Sequence, residues 1–198
     1  MDAKIGVLAL QGNVSEHIDM FLMALERMGQ GPISEVFEVR SPADLAHCNA
    51  LAIPGGESTT ISHLIDKNGL YEPIRNFNGG IFATCAGMVL MATRVDDSRI
   101  HPLGLIDMAV NRNAFGRQKE SFEMDLAIEG LEGDAFPAIF IRAPVVTSAG
   151  PRINVLARID QGIVAVEQGK HMALSFHPEL VDDTRIHERF LSGLGITR

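Results

Sequence analysis

Tryptophan is absent from the 198-residue chain, tyrosine occurs once and cysteine only twice. Two cysteines in unlike settings, Cys48 and Cys85, build neither a disulfide framework nor a zinc knuckle, and they suit a reduced compartment. Long apolar runs are missing too. The opening MDAKIGVLALQG has one early lysine and an apolar run of about six residues, short for a secretory core. A membrane helix needs about 20 apolar residues, so the chain reads as soluble, intracellular and cytoplasmic. Basic charge is also scarce: 17 Lys and Arg stand against 25 Asp and Glu, a formal net charge of −8. No net field draws polyanions in, which argues against a nucleic-acid or anionic-membrane partner. No Pro/Gly/Ser-rich linker, repeat or low-complexity tract divides the chain, so residues 1–198 are expected to form one domain.

What is present is a globular composition, 46% hydrophobic and 21% charged, enough for a packed core. The first half alternates strand and helix patterns. Ile5 to Leu10 is a strand-length apolar run ended by Gln11-Gly12-Asn13. Val14, Ile18, Phe21, Leu22, Leu25 and Met28 then recur at helical spacing, with Gly29 as a stop. Glu35 to Arg40 reads as a strand, and Ser41-Pro42 as a helix cap and first turn. Ala50 to Ile53 is a short buried strand broken by Pro54-Gly55-Gly56, after which Ser58 is placed to cap a helix that stops at Asn68-Gly69. Ile81 to Thr84 predicts a strand and Ala86 to Ala92 a helix. This rhythm implies an α/β fold, an open, mostly parallel sheet with helices on both faces. In the second half Phe122, Met124, Leu126 and Ile128 alternate with acidic neighbours, a period of two that predicts antiparallel pairing with one wet face. Ala138 to Ile141, Val155 to Ile159, Ile163 to Val166 and Met172 to Phe176 are further strands, and a last helix is expected from about Asp183 to Leu194.

Chemistry concentrates at two points. In Ile81-Phe82-Ala83-Thr84-Cys85-Ala86-Gly87 small residues flank a cysteine at a strand-to-helix junction, the pattern of a nucleophile elbow. The following helix would direct its N-terminus at the sulfur, and the Ala86 amide would be placed for an oxyanion. A small buried cysteine filling space is the competing reading. Cys48, ahead of a strand and without small flanks, reads as structural. Among seven histidines (His17, His47, His63, His101, His171, His177 and His187), His177 stands apart. It follows an apolar strand, where sites of open α/β sheets gather, and Glu179 two residues on is in reach to fix its tautomer. His171 reads as an ordinary strand-edge residue. No His or Cys spacing suits a metal site.

Ala83-Thr84-Cys85-Ala86-Gly87 followed by His177-Pro178-Glu179 resembles the class I, triad-type glutamine amidotransferases. Ile53-Pro54-Gly55-Gly56-Glu57-Ser58-Thr59-Thr60, Asn111-Arg112-Asn113-Ala114-Phe115-Gly116-Arg117-Gln118 and Phe140-Ile141-Arg142-Ala143-Pro144 narrow the resemblance to the glutaminase subunits of pyridoxal 5′-phosphate synthase. Gly6 to Gly12 fits as well, and the likeness runs from about Ile5 to Phe190. It implies a flavodoxin-like fold, with Cys85 as nucleophile, His177 as base and acid, and Glu179 as its orienter. It implies a glutamine site lined by Gly56, Glu57, Ser58, Arg112, Ile141 and Arg142. Two basic side chains suit a free carboxylate, although surface salt bridging is what arginines do by default. Gly55, Gly56 and Ala86 would present amides to an oxyanion. L-glutamine would be the substrate, a synthase subunit the partner receiving ammonia, and no cofactor is implied for the glutaminase step. Such elbows usually have glycine where this chain has Ala83, one methyl group more in a tight turn; the elbow is expected to survive with a small shift. A glutaminase serving another synthase, or a non-catalytic subunit of the same fold, are the rival readings. A papain-like peptidase is disfavoured by the flanks of Cys85.

Overall fold

The computed structural model describes residues 3–112, 114 and 121–197. Its centre is a ten-stranded sheet. In chain order the elements begin with β1 (Lys4–Leu8), α1 (Val14–Arg27), β2 (Glu35–Val39), α2 (Pro42–Leu45), β3 (Ala50–Ile53) and α3 (Ser58–Lys67). Next come α4 (Tyr71–Arg75), β4 (Gly80–Thr84), α5 (Ala86–Met91), β5 (Ala92–Val95) and β6 (Ile106–Asn111). The rest is β7 (Ser121–Leu126), β8 (Phe136–Ile141), β9 (Val145–Ala149), β10 (Asn154–Ile159), β11 (Gly162–Gln168), β12 (His171–Leu174) and α6 (Arg185–Gly193).

The sheet runs β2-β1-β3-β4-β12-β11-β9-β6-β5, with β10 pairing on β11. From β2 to β12 every pairing is parallel. From β12 to β6 it is antiparallel. β3 and β4 are buried at every residue, as strands covered by helices on both faces must be. Their side chains divide between two cores. Ile5, Val7 and Phe82 join α1 and α6 through Phe21, Leu25, Ile186 and Phe190. Leu8, Leu51 and Ile53 join the opposite helices through Leu45, Ile61, Ile65, Ile74 and Met88.

β7 pairs β8 antiparallel in a separate two-stranded sheet, and Ser121, Glu123 and Asp125 form its exposed face. Phe140 stacks on Phe122 with centroids 4.7 Å apart and meets Phe176 at 5.5 Å. That aromatic contact fastens the ribbon over the chain leaving β12. Several details differ from the sequence reading, which had no element for α4, β6 or β9. Glu57, not Ser58, caps α3: its carboxylate accepts from the amides of Thr59 (3.3 Å) and Thr60 (2.6 Å). The helix after Cys85 stops at Met91, and Ala92 opens β5. The apolar run expected through Phe176 leaves the ladder at Leu174. No helix among the described residues is long and apolar enough to cross a membrane.

Candidate functional site

β4 and β12 lie side by side in parallel register, Thr84 opposite Leu174. The residues that leave their C-terminal ends are therefore neighbours. Cys85 follows β4 directly, and its amide donates to Leu174 O at 2.8 Å. It adopts φ 49°, ψ −105°, a conformation costing a non-glycine residue about 1–3 kcal/mol. The turn is close-packed behind it. A methyl on Gly87 would lie 2.2 Å from Ile53 O and 3.2 Å from Ala83 Cβ. The Ala83 methyl is accommodated because Gly87 has none. Cys85 is 6% exposed, and its thiol donates to Ile141 O at 3.6 Å, supplied by the end of β8.

His177 sits three residues beyond β12, its amide donating to Ile139 O at 2.8 Å. Its Nδ1 is 2.7 Å from Glu179 Oε1, and both side chains are buried. Burial opposes the charge on His177. Hydrogen bonding to the Cys85 sulfur and the Glu179 carboxylate outweighs it, and holds the imidazole well above its ordinary 6.5. Burial likewise opposes the charge on Glu179, but His17 and His177 beside it hold the carboxyl well below its ordinary value. With Nδ1 held by Glu179, Nε2 is the nitrogen left for proton transfer.

Gly55 packs against both Cys85 and the His177 ring. A methyl there would lie 2.5 Å from His177 Cε1 and 3.2 Å from Cys85 Cβ. The Gly55 N–H donates to Thr84 Oγ1 at 3.1 Å, so the expectation that Gly55 offers this amide to an oxyanion is not met in this conformation. The Ala86 amide belongs to the first turn of α5, whose amides have no partner within the helix. Gly56 has φ 154° and rests against Gln11, whose Oε1 accepts the Glu57 N–H at 2.9 Å.

Two small adjoining cavities, of about 270 and 290 Å³, share Gly56, Cys85 and Arg142. One adds Glu57, Ser58, Ala86 and Arg112. The other adds Asn13, Gly55, Ile141 and His177. The two arginines differ. Arg112 is already paired, with Asp97 at 2.6 Å and Glu57 at 3.1 Å. Arg142 makes no ion pair among the described residues, is exposed, and is held at φ 45°. Asn113 and residues 115–118 of the Asn111-to-Gln118 segment lie outside the described residues. His101 is elsewhere, stacked on Tyr71 and paired with Asp66. No group of three or more His, Cys, Asp or Glu among the described residues is arranged to hold a metal ion.

Sequence reasoning missed Thr84, Asp97 and His17 as neighbours of the site. It placed Asn13 at the end of the first strand, on the edge expected to face the site and relay a partner's contact, but not as the residue that holds Glu179. Asn13 occupies the cap position of α1 without a capping bond, and its Nδ2 donates to Glu179 Oε1 at 3.1 Å. His17 lies four residues on, hence on the same helix face; that spacing from a polar cap residue was the available signal.

A family model described as the SNO glutamine amidotransferase family matches residues 7–194. The pyridoxal 5′-phosphate synthase subunit PdxT of Methanoregula boonei is 68% identical over 98% of this chain and 100% of its own length. That of Methanosphaerula palustris is 63% identical over 99% and 100%. A crystal structure of a glutamine amidotransferase superposes with a TM-score of 0.84 at 44% identity, covering 96% of this chain and 98% of the other.

Proposed function

The chain belongs to the SNO glutamine amidotransferase family, and from that premise we propose that it is the glutaminase subunit of a pyridoxal 5′-phosphate synthase. It hydrolyses L-glutamine to L-glutamate and ammonia and hands the ammonia to a synthase subunit. The observation that carries this reading is that Cys85 and His177, at the ends of neighbouring parallel strands, line one cavity, with the Glu179 carboxylate 2.7 Å from the imidazole.

The Cys85 thiolate attacks the side-chain amide carbon of glutamine. Charge moves onto the amide oxygen, which meets the N–H groups of Ala86 and Gly56. The His177 imidazolium gives a proton to the leaving nitrogen, ammonia departs, and a γ-glutamyl thioester remains on Cys85. His177, now neutral, takes a proton from water as it attacks the thioester; glutamate leaves and the thiolate returns. Glu179 keeps the ring oriented throughout. Arg142, exposed and without an ion pair among the described residues, suits the substrate α-carboxylate, and Glu57 lining the same cavity suits its α-ammonium. Arg112 acts through Glu57, which it holds. The cytoplasm, where a thiol stays reduced, is the compartment this chemistry calls for.

The same reading makes the isolated chain a weak glutaminase that its partner activates. Gln11-Gly12-Asn13, at the end of β1, is the candidate relay. Its support is contact with both halves of the site. Gln11 holds the Glu57 amide, Gly12 lies so near Gly55 O that a methyl would be 1.8 Å from it, and Asn13 holds Glu179. A partner pressing on this loop selects the backbone state that offers the oxyanion its amides. Glutamate release from the purified chain, alone and with purified synthase subunit, is the test. We expect slow release alone, strong stimulation by the synthase, and none from Cys85→Ala in either case. Full activity without the partner would remove the gating, and an active Cys85→Ala would remove the glutaminase assignment.

A further inference from the structure

One buried side chain touches both flanks of the site without belonging to the relay. His17, on α1, is wholly buried. Its Nε2 is 3.1 Å from Thr84 Oγ1 and 3.5 Å from Glu179 Oε2. Thr84 directly precedes Cys85, and its hydroxyl holds the Gly55 amide. Glu179 holds His177. A single ring thus stands between the strand that carries the sulfur and the acid that orients the base.

The proton on this ring is assigned by its neighbours. Glu179 Oε1 is supplied by His177 Nδ1 and Asn13 Nδ2. Oε2 is buried, makes no close hydrogen bond among the described residues, and has His17 Nε2 beside it. An unprotonated Nε2 would set a lone pair against a carboxylate oxygen. A proton on Nδ1 would strand a buried donor, because that nitrogen has no partner among the described residues. The tautomer with the proton on Nε2 avoids both costs. Burial, the largest influence, holds His17 below its ordinary value despite the nearby carboxylates of Glu179 and Glu16, and His177 lowers it further. Burial thus disfavours the charged form of the ring, and the N–H dipole is what the site is built around.

We infer that His17 is a positioning residue for the glutaminase reaction: its Nε2–H is held by Thr84 Oγ1 and stands 3.5 Å from Glu179 Oε2 as an electrostatic neighbour while Asn13 holds Oε1, so that the carboxylate plane and hence the His177 ring are fixed from two sides. The inference rests on the proposed glutaminase reading. Freed on one side, the carboxylate can turn, its hydrogen bond to His177 lengthens, and the imidazolium loses part of what sustains it. KM is untouched, because His17 lines neither cavity.

The test uses the full chain bound to its synthase subunit. Three variants are compared: His17→Leu, which fills the space without a donor; His17→Gln, which returns an N–H near the Nε2 position; and His17→Asn, whose shorter amide falls away from Glu179. For His17→Leu and His17→Asn we expect kcat to fall about 10-fold, from loss of a buried dipole beside the carboxylate and of the link to Thr84. Glutamine KM should stay within about threefold, and the limb of the pH profile set by His177 should move to lower pH. His17→Gln should recover most of kcat and the parent limb. In a Glu179→Gln background, His17→Asn should cost little more, since the two act through one contact. Folded variants with parent kcat and an unshifted profile would overturn the inference. So would equal losses in His17→Gln and His17→Asn with an unshifted limb, the signature of a packing role. An active Cys85→Ala control would instead sink the underlying glutaminase reading, whatever His17 does.

Discussion

Cys48 lies just before β3 and Cys85 just after β4, at opposite ends of two neighbouring parallel strands. The N-terminal end has the roomier cavity, about 560 Å³, lined by Leu45, Cys48, Asn49, Phe77 and Gly79 among others. The C-terminal end has the two small ones around Cys85. Space does not distinguish a working end; chemistry does. No histidine lines the cavity beside Cys48, and burial together with the Asp44 carboxylate pushes that thiol up to about 11. At the other end, strained backbone, a buried imidazole and a buried carboxylate converge on one sulfur. Parallel strands bring this about by construction: loops leaving their C-terminal ends meet at one edge, and those of β1, β3, β4 and β12 all contribute.

The largest test of the contrast is removal of Cys85. Cys85→Ala should lower synthase-stimulated glutamate release by about four orders of magnitude or more, the usual cost of losing a nucleophile, with the fold intact by circular dichroism. Steady-state kinetics against the parent checks it; a loss under tenfold would abolish the distinction between the two ends.

Next come the two arginines. Arg142→Ala should reduce kcat/KM for glutamine by about 10- to 100-fold, from one charge-assisted contact at roughly 1.5–3 kcal/mol. Arg112→Ala should also reduce it, through a loosened Glu57. Reactivity of Cys85 toward iodoacetamide should be spared in both. Unchanged kinetics in both variants would return the arginines to surface pairing.

How much of this contrast could be read from sequence depended on what each segment buries. β3, β4 and α1 are legible because their apolar residues follow one period without interruption. β5 was not: only Ala92 of Ala92–Val95 is fully buried, so the segment reads as the tail of a helix. α4 holds Pro73 at its middle, which masks a five-residue helix. β6 and β9 pair at long range with each other, and no local pattern announces that. The candidate nucleophile, base and acid stood out because small, apolar and proline neighbours mark unusual backbone. His17 did not, since on α1 it sits among residues at core spacing and its partners come from β4 and the segment after β12. Contacts made across the sheet leave no trace in local spacing. The same limit hid the pairing of Arg112 with Asp97 and the use of the Gly55 amide by Thr84.

A smaller effect comes from the layer beneath the site. His187 is fully buried against Phe21 and Phe82, and neither ring nitrogen has a hydrogen-bond partner among the described residues. Burial, reinforced by His17, pushes its pKa down to about 3. The sign follows: between the ordinary 6.5 and about 3 the unfolded chain binds a proton that the folded chain refuses. Stability is therefore fully present above pH 6.5 and falls as the pH drops toward 3. His17, lowered by burial, acts in the same direction. His187→Leu should remove one unpartnered donor, raise stability by about 1 kcal/mol, and flatten the loss on acidification. Urea unfolding at pH 7.5 and pH 5.5 tests both; a variant as acid-sensitive as the parent would count against the assignment.

The smallest effect is expected at Cys48, where the comparison is easiest to break. Its thiol donates to Asp44 O at 3.5 Å and packs so closely on Gly6 that a methyl there would lie 2.5 Å from the sulfur. A serine hydroxyl is smaller and keeps the donor, so Cys48→Ser should fit and shift stability by under about 1 kcal/mol. Synthase-stimulated turnover should stay within about twofold of the parent, because no triad atom is nearby. Labelling gives the sharper reading. With its pKa pushed up to about 11, the Cys48 thiol is ionised to roughly one part in a thousand at pH 8, and the thiolate is the species that reacts. Iodoacetamide at pH 8 should therefore label Cys85 first, glutamine should protect that site, and Cys48 should take label at a rate that climbs tenfold per pH unit up to about pH 10. Intact-mass spectrometry on the parent, Cys48→Ser and Cys85→Ala follows each adduct separately. Fast labelling of Cys48 at pH 8, or a Cys48→Ser enzyme without glutaminase activity, would make the N-terminal end of the sheet a working end as well.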